Sequence, residues 1–158
     1  MAIDSTGFET IIRGDPLCRW EKKRKEWIKL HASFDVNHVN AQKIAITSAH
    51  LHDFQILLLL VTGNEDQVFA DKAYDYRKIF NLLDSKDTDA IIPIRKNFRT
   101  VARGSPLRHR TARQIRKIGE EEWKRIHNYG RRWIVEIYFS GLKVLYYNYL
   151  RSDTRAYG

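Results

Sequence analysis

The sequence predicts an α/β fold on one mixed sheet: three antiparallel strands, then helices alternating with parallel strands, then C-terminal helices. Three observations carry that expectation. Residues 27–34 and 43–47 alternate apolar and polar side chains with a period of two, as half-buried strands do. Two short apolar runs, 67–70 and 90–94, each come after a helical stretch, the order that parallel strands joined by crossovers require. From about residue 111 onward, apolar positions recur at helical spacing.

In chain order, Ala2 to Ser5 reads as a short first strand, and Gly7 and Gly14-Asp15-Pro16 break the segment after it. Residues 19–26 are a charged connector. In the second strand, Trp27 to Phe34, residues Ile28, Leu30, Ala32 and Phe34 share one face. Lys29, His31 and Ser33 share the other, polar face, which either approaches a polar partner or is simply exposed. Asp35 to Asn40 supplies turn chemistry, and Lys43 to Thr47 alternates again, completing an antiparallel meander. Asp53 caps a helix from Phe54 to Val61 that Gly63 stops. Capping and exposure account better for His50, His52 and Asp53 than metal ligation does. Gln67 to Ala70 is a buried strand ending at Asp71, and a helix from Asp75 to about Leu83 buries Tyr76, Ile79, Phe80 and Leu83. Ala90 to Ile94 is a strand whose Pro93 favours an edge or an end. A basic loop spans Arg95 to Arg110, and a helix runs from Thr111 to His127, weakened by Gly119. Asn128-Tyr129 marks a break before a last helix that runs to about Leu150. No repeat, low-complexity tract or linker divides the chain, so residues 1–158 read as a single domain with a basic loop and helix segment at about 95–128.

Composition excludes several classes. With 43% hydrophobic and 12% aromatic residues, 158 residues suffice for a sizeable core. The one cysteine, Cys18, forms no internal disulfide and has no ligand spacing around it, which fits a reducing compartment. The longest apolar run, Ile56 to Thr62, is too short to span a membrane, and no signal peptide precedes it, so a soluble cytoplasmic protein is expected. No Gly-rich phosphate loop calls for a nucleotide cofactor. Ser5 lacks an elbow motif and Cys18 a base, so nucleophilic catalysis has no support.

The net charge is +9, but residues 95–132 alone carry +10, leaving −1 for the rest. A block that basic, with Trp123 and Tyr129 nearby, suits a phosphate backbone and favours DNA over a merely solvated segment. Towards the C-terminus the stretch Tyr129 to Lys143 holds one acid, Glu136. On a helix, Tyr129, Arg132, Glu136 and Lys143 fall within a sector of roughly 60°, while Ile134, Val135, Tyr138 and Leu142 turn away. Arg132 lies about 6 Å and Lys143 about 10 Å along the axis from Glu136. A solvated amphipathic helix with an i,i+4 Arg/Glu pair accounts for the same spacing.

Tyr, two residues, Arg, three residues, Glu, six residues, Lys resembles the signature of DDE transposases of bacterial and archaeal insertion sequences, in the group named after insertion sequences four and five. Ala2-Ile3-Asp4-Ser5-Thr6-Gly7-Phe8 is similar to that family's first motif and Val68-Phe69-Ala70-Asp71-Lys72-Ala73-Tyr74-Asp75 to its second. Further similarities are Trp27 to His31, the His52-Asp53 pair, and Ile91 to Asn97. Five or six such motifs in family order are more specific than any one alone.

The resemblance implies a ribonuclease H-like fold and names Asp4, Asp71 and Glu136 as catalytic acids that also hold metal, two Mg²⁺ or Mn²⁺ ions. It implies DNA, both transposon ends and target, as the partner, and allows a homodimer. Arg132 and Lys143 would contact phosphates and Tyr129 the DNA path, with Arg95 and Lys96 beside them. Pairing with Glu136 is an equally good account of Arg132. The short first strand, and Val144 to Tyr149 where the family has Arg and an aromatic-Gly pair, lead us to expect the catalytic domain of a longer transposase trimmed at both ends. Metal-dependent cleavage and strand transfer, an inactive DNA-binding remnant, and an unrelated basic interaction protein are the three readings left open.

Overall fold

The computed structural model describes residues 1–10, 26–48, 51, 53–61, 63–95 and 104–153. The breaking glycine and proline at 14–16, Cys18, the connector up to residue 25, His50, His52 and Lys96 lie outside the described residues. Strand β1 (Ala2–Thr10) pairs antiparallel with β2 (Glu26–Asp35), and β2 pairs antiparallel with β3 (Asn40–Ser48). Helix α1 (Asp53–Leu60) leads to β4 (Gln67–Phe69), and α2 (Arg77–Ser85) leads to β5 (Asp89–Ile91). Both of these strands run parallel to β1, giving a five-stranded sheet in the order β3-β2-β1-β4-β5. Helices α3 (Pro106–Ile118), α4 (Glu120–Ile126) and α5 (Trp133–Asp153) complete a ribonuclease H-like arrangement.

The strand register decides which helix covers which face. Ala2, Asp4, Thr6 and Phe8 stand opposite Phe34, Ala32, Leu30 and Ile28 and share their side of the sheet. That side receives α5: Phe34 meets Tyr138 edge-on at 4.6 Å between ring centroids, and Phe8 meets Tyr146 at 5.2 Å. The opposite side carries Ser33 and its partner Lys43, whose Nζ donates to the Leu59 carbonyl of α1 at 3.0 Å. Ile56, Leu57, Leu60 and Val61 bury that helix in the core.

Several boundaries differ from the sequence reading, each for a local reason. Gly7 does not break β1; it faces Lys29 in the ladder, because backbone pairing needs no side chain and outweighs glycine's cost of roughly 0.5–1 kcal/mol. The second strand does not keep a polar face in solvent. His31 and Ser33 are fully buried beneath α1's side of the sheet, and His31 Nε2 shares a 2.8 Å hydrogen bond with Thr47 Oγ1. Pro93 lies just past β5, whose ladder ends at Ile91. The basic segment is not a loop up to Arg110. Its helix begins at Pro106, where a proline costs no hydrogen bond. Nor is there one helix to His127, since Gly119 turns to φ +87° and separates α3 from α4. Trp123, 1% exposed, fills that corner and donates its indole N–H to Gln114 Oε1 at 3.3 Å. No described helix is long and apolar enough to cross a membrane.

Phe34 is 1% exposed and holds α5 to the sheet through two ring contacts, to Tyr138 and Phe139. Phe34→Ala is expected to cost about 3–5 kcal/mol, and Phe34→Leu clearly less, in urea unfolding curves with unchanged slope.

Candidate catalytic site

Strand pairing brings two of the three acids together. Ala2 is the partner of Phe69 in the parallel β1–β4 ladder. Asp4 and Asp71 lie two residues beyond those partners along strands that run in the same direction. They therefore stand at the same level on neighbouring strands, whose usual spacing is about 4.8 Å. Asp71 leaves the sheet in an extended conformation and its Oδ1 accepts from Ala73 N at 2.8 Å, capping a 3-10 turn, Lys72–Tyr74. This turn delays the next helix to Arg77, later than the spacing of apolar residues suggested.

The third acid is joined to the first by an arginine. Arg132 donates from Nη1 to Asp4 Oδ2 at 2.8 Å and from Nη2 to Glu136 Oε1 at 2.6 Å. Asp4 and Arg132 keep only 16% and 15% of their side chains exposed, while Glu136 keeps 59%. Burial is the largest influence on the Asp4 carboxyl and pushes it above its ordinary value, with the Asp71 charge adding; Arg132 and the Ser5 N–H pull the other way.

Tyr129 and Arg132 are not on the Glu136 helix as the face argument placed them. They form a separate 3-10 turn, Tyr129–Arg132, entered through Asn128 in the left-handed region. The turn aims both side chains at the acids. Tyr129 Oη donates to the Ala70 carbonyl at 3.3 Å, next to Asp71, and its ring lies 5.8 Å from the Arg132 guanidinium. Burial holds the Tyr129 phenol above its usual range. Lys143 lies within α5, two turns beyond Glu136 and half-buried.

A cluster around Asp75 and Arg108, to which the sequence reading gave no role, recruits Arg95, expected at the DNA, and fixes the turn after Asp71. Asp75, whose side chain is 1% exposed, accepts from Arg108 Nε at 2.6 Å and Nη2 at 2.9 Å, and from the Arg95 backbone N–H at 3.0 Å. Arg95 donates from Nε to the Lys72 carbonyl and from Nη2 to the Ala73 carbonyl, and stacks over Tyr76 at 4.9 Å. Its donors therefore hold the turn that follows Asp71. Lys72 in turn pairs with Glu120 at 2.7 Å. A signal for this cluster was present: Arg108 occupies the same helical phase as Thr111, Ala112 and Ile115, which are buried, and a charge in a buried stripe demands a partner.

Among the described residues, no three acidic, histidine or cysteine side chains converge closely enough to hold a metal ion. The donor chemistry nonetheless suits one. Asp4, Asp71 and Glu136 offer only hard carboxylate oxygens, and the Arg132 guanidinium already demonstrates that one cationic group reaches both Asp4 and Glu136.

A family model described as Transposase DDE domain matches residues 1–157 of the chain. No curated protein and no solved structure matches it.

Two outcomes are expected from the geometry. Because the folded-state Asp4 carboxyl is raised above its ordinary value of 3.8, its stabilising contribution is present below that value and is lost as pH rises through the raised one. Asp4→Asn, measured by thermal melts without divalent metal, should therefore gain stability relative to the unaltered protein as pH rises from 4 to 8. A progressive loss instead would mean that the Arg132 pair outweighs burial. Arg108→Ala leaves the Asp75 carboxylate buried without its main partner and should cost about 3–5 kcal/mol in denaturant unfolding.

Proposed function

We propose that this chain, which belongs to the transposase DDE-domain family and so to the machinery of DNA transposition, cuts DNA strands and joins them through Asp4, Asp71 and Glu136. The observation that carries the reading is the Arg132 bridge. It ties the first acid to the third, Arg132 itself lying 128 positions from Asp4, at the level where β4 delivers the second.

The three carboxylates would hold one or two Mg²⁺ or Mn²⁺ ions, which when bound activate an attacking oxygen and stabilise the leaving oxygen of an in-line displacement at phosphorus. The chain's own residues supply the setting. Parallel pairing of β1 and β4 fixes Asp4 and Asp71 at one level, and the capped turn after Asp71 limits its motion. Glu136, more exposed than Asp4, is the acid that adjusts, moving on a long side chain at the first turn of α5. Arg132 keeps a positive charge at the carboxylates and can transfer its donors to a phosphate oxygen of the substrate. Tyr129 backs that guanidinium with its ring. Lys143, on the same helix, is assigned to a phosphate further along the strand. Water as attacking group nicks a strand, and a freed 3′-hydroxyl joins it to a target.

One observation favours a second reading. Arg132 already occupies one oxygen of Asp4 and one of Glu136, as it would in a chain that binds DNA without cutting it.

Nicking of supercoiled plasmid with Mg²⁺ or Mn²⁺ distinguishes the two. The unaltered protein is expected to nick, and Glu136→Gln and Asp71→Asn to lower the rate by about 10²-fold or more. DNA binding without nicking, or nicking equal in all three proteins, would leave the second reading.

A further inference from the structure

The basic segment carries more charge than the fold uses, and the structure separates spent charge from spare. Arg95 and Arg108 are committed to the Asp75 turn. On α4, Lys124 pairs with Glu120 and Glu121, and Arg125 with Glu122, so that helix is close to neutral along its length. Arg131 donates to Asn37, and Arg132 is held by the two acids. Helix α3 differs. Its Arg110, Arg113, Arg116 and Lys117 are exposed and form no ion pair with any described residue.

Their spacing is that of a surface. Arg110, Arg113 and Lys117 fall within roughly 60° of one another, diametrically opposite the stripe of Thr111, Ala112 and Ile115 that faces the core. Arg116 flanks them. The three charges span about 10 Å of helix axis, a reach over which consecutive phosphates of a duplex strand can be met. Both ends of α3 are fastened to the turn that carries Asp71: Arg108 near its start to Asp75, and Glu120, just past Gly119, to Lys72.

We infer that the outer stripe of α3, Arg110, Arg113 and Lys117 with Arg116 at its side, is the main electrostatic grip on duplex DNA. The inference rests on the transposase reading of the three acids. It moves the DNA contact away from Arg95, whose donors hold the protein's own backbone. Binding through this stripe is independent of sequence and of divalent metal, since it uses phosphates alone. The helix hands the grip to the acids as a rigid spacer: a duplex held on α3 is held at a fixed distance from Asp71.

The test is the salt dependence of binding to a short random-sequence DNA duplex, measured by fluorescence anisotropy in chelator. The slope of log affinity against log salt should fall in magnitude by about 0.9 for each stripe charge removed. The triple variant Arg110→Gln, Arg113→Gln, Lys117→Gln should therefore lose about 2.7, and Lys124→Gln with Arg125→Gln on α4 should lose far less. Arg110, Arg113, Lys117 and Arg125 are exposed and Lys124 is half-buried, and matching thermal midpoints would establish that each variant is folded. Replacing Arg110 and Arg113 by Lys should retain the slope. Equal losses for the α3 and α4 variants, or none for the α3 variant while the unaltered protein binds, would overturn the inference and leave the transposase reading standing. An unaltered protein whose affinity for the duplex does not respond to salt would overturn both.

Discussion

One guanidinium shared between two carboxylates ties this fold together at its functional end. Without it, Asp4 would be a mostly buried anion near a second acid on the neighbouring strand, and Glu136 an exposed acid on α5. With it, the first strand and the last helix are joined where only side-chain chemistry can join them, since β1 and α5 share no backbone hydrogen bonds. The apolar contacts of Phe8, Phe34, Tyr138 and Tyr146 press α5 onto the sheet but do not fix how it is rotated. The polar bridge does, because two directional hydrogen bonds of 2.8 and 2.6 Å are satisfied at one rotation of the helix.

A second ionic cluster does for Asp71 what Arg132 does for Asp4. Asp71 sits where the sheet ends and the backbone would otherwise be free to vary. Three constraints remove that freedom: its own cap on Ala73, the Arg95 bonds to two carbonyls of the turn, and the buried Asp75–Arg108 pair beneath. Buried ion pairs contribute little net stability against apolar replacements, so their value here lies in fixing a conformation. A rigidly supported frame holds Asp4 and Asp71 in place before any ligand arrives, so that binding there need not order them.

Most of the architecture was legible in the sequence, because period-two alternation and the placement of short apolar runs are local signals of the sheet. Connection rules pointed to parallel later strands, and the observed β1–β4 pairing sets Asp4 and Asp71 side by side. The features that were not legible depended on neighbours distant in the chain. His31 and Ser33 looked solvent-facing, yet α1 packs over that side of the sheet, and a small polar residue or a hydrogen-bonded histidine is tolerated there. The Tyr129-to-Lys143 spacing suggested one continuous face, whereas a 3-10 turn carries Tyr129 and Arg132 and re-aims them at the strand ends. The Asp75 cluster pairs residues 33 positions apart, and only the helical phase of Arg108 hinted at it.

Gly119 gives the molecule a property that a straight helix would have erased. Had α3 continued through residue 119, Glu120 would have stood four residues from Arg116, and Glu120 and Glu121 three and four from Lys117, the spacings at which opposite charges on one helix find each other. The left-handed glycine turns the chain aside, and the three glutamates instead meet Lys72, Lys124 and Arg125. One residue without a β-carbon thus acts as an electrical partition, keeping a strongly acidic run adjacent in sequence from discharging the cations beside it.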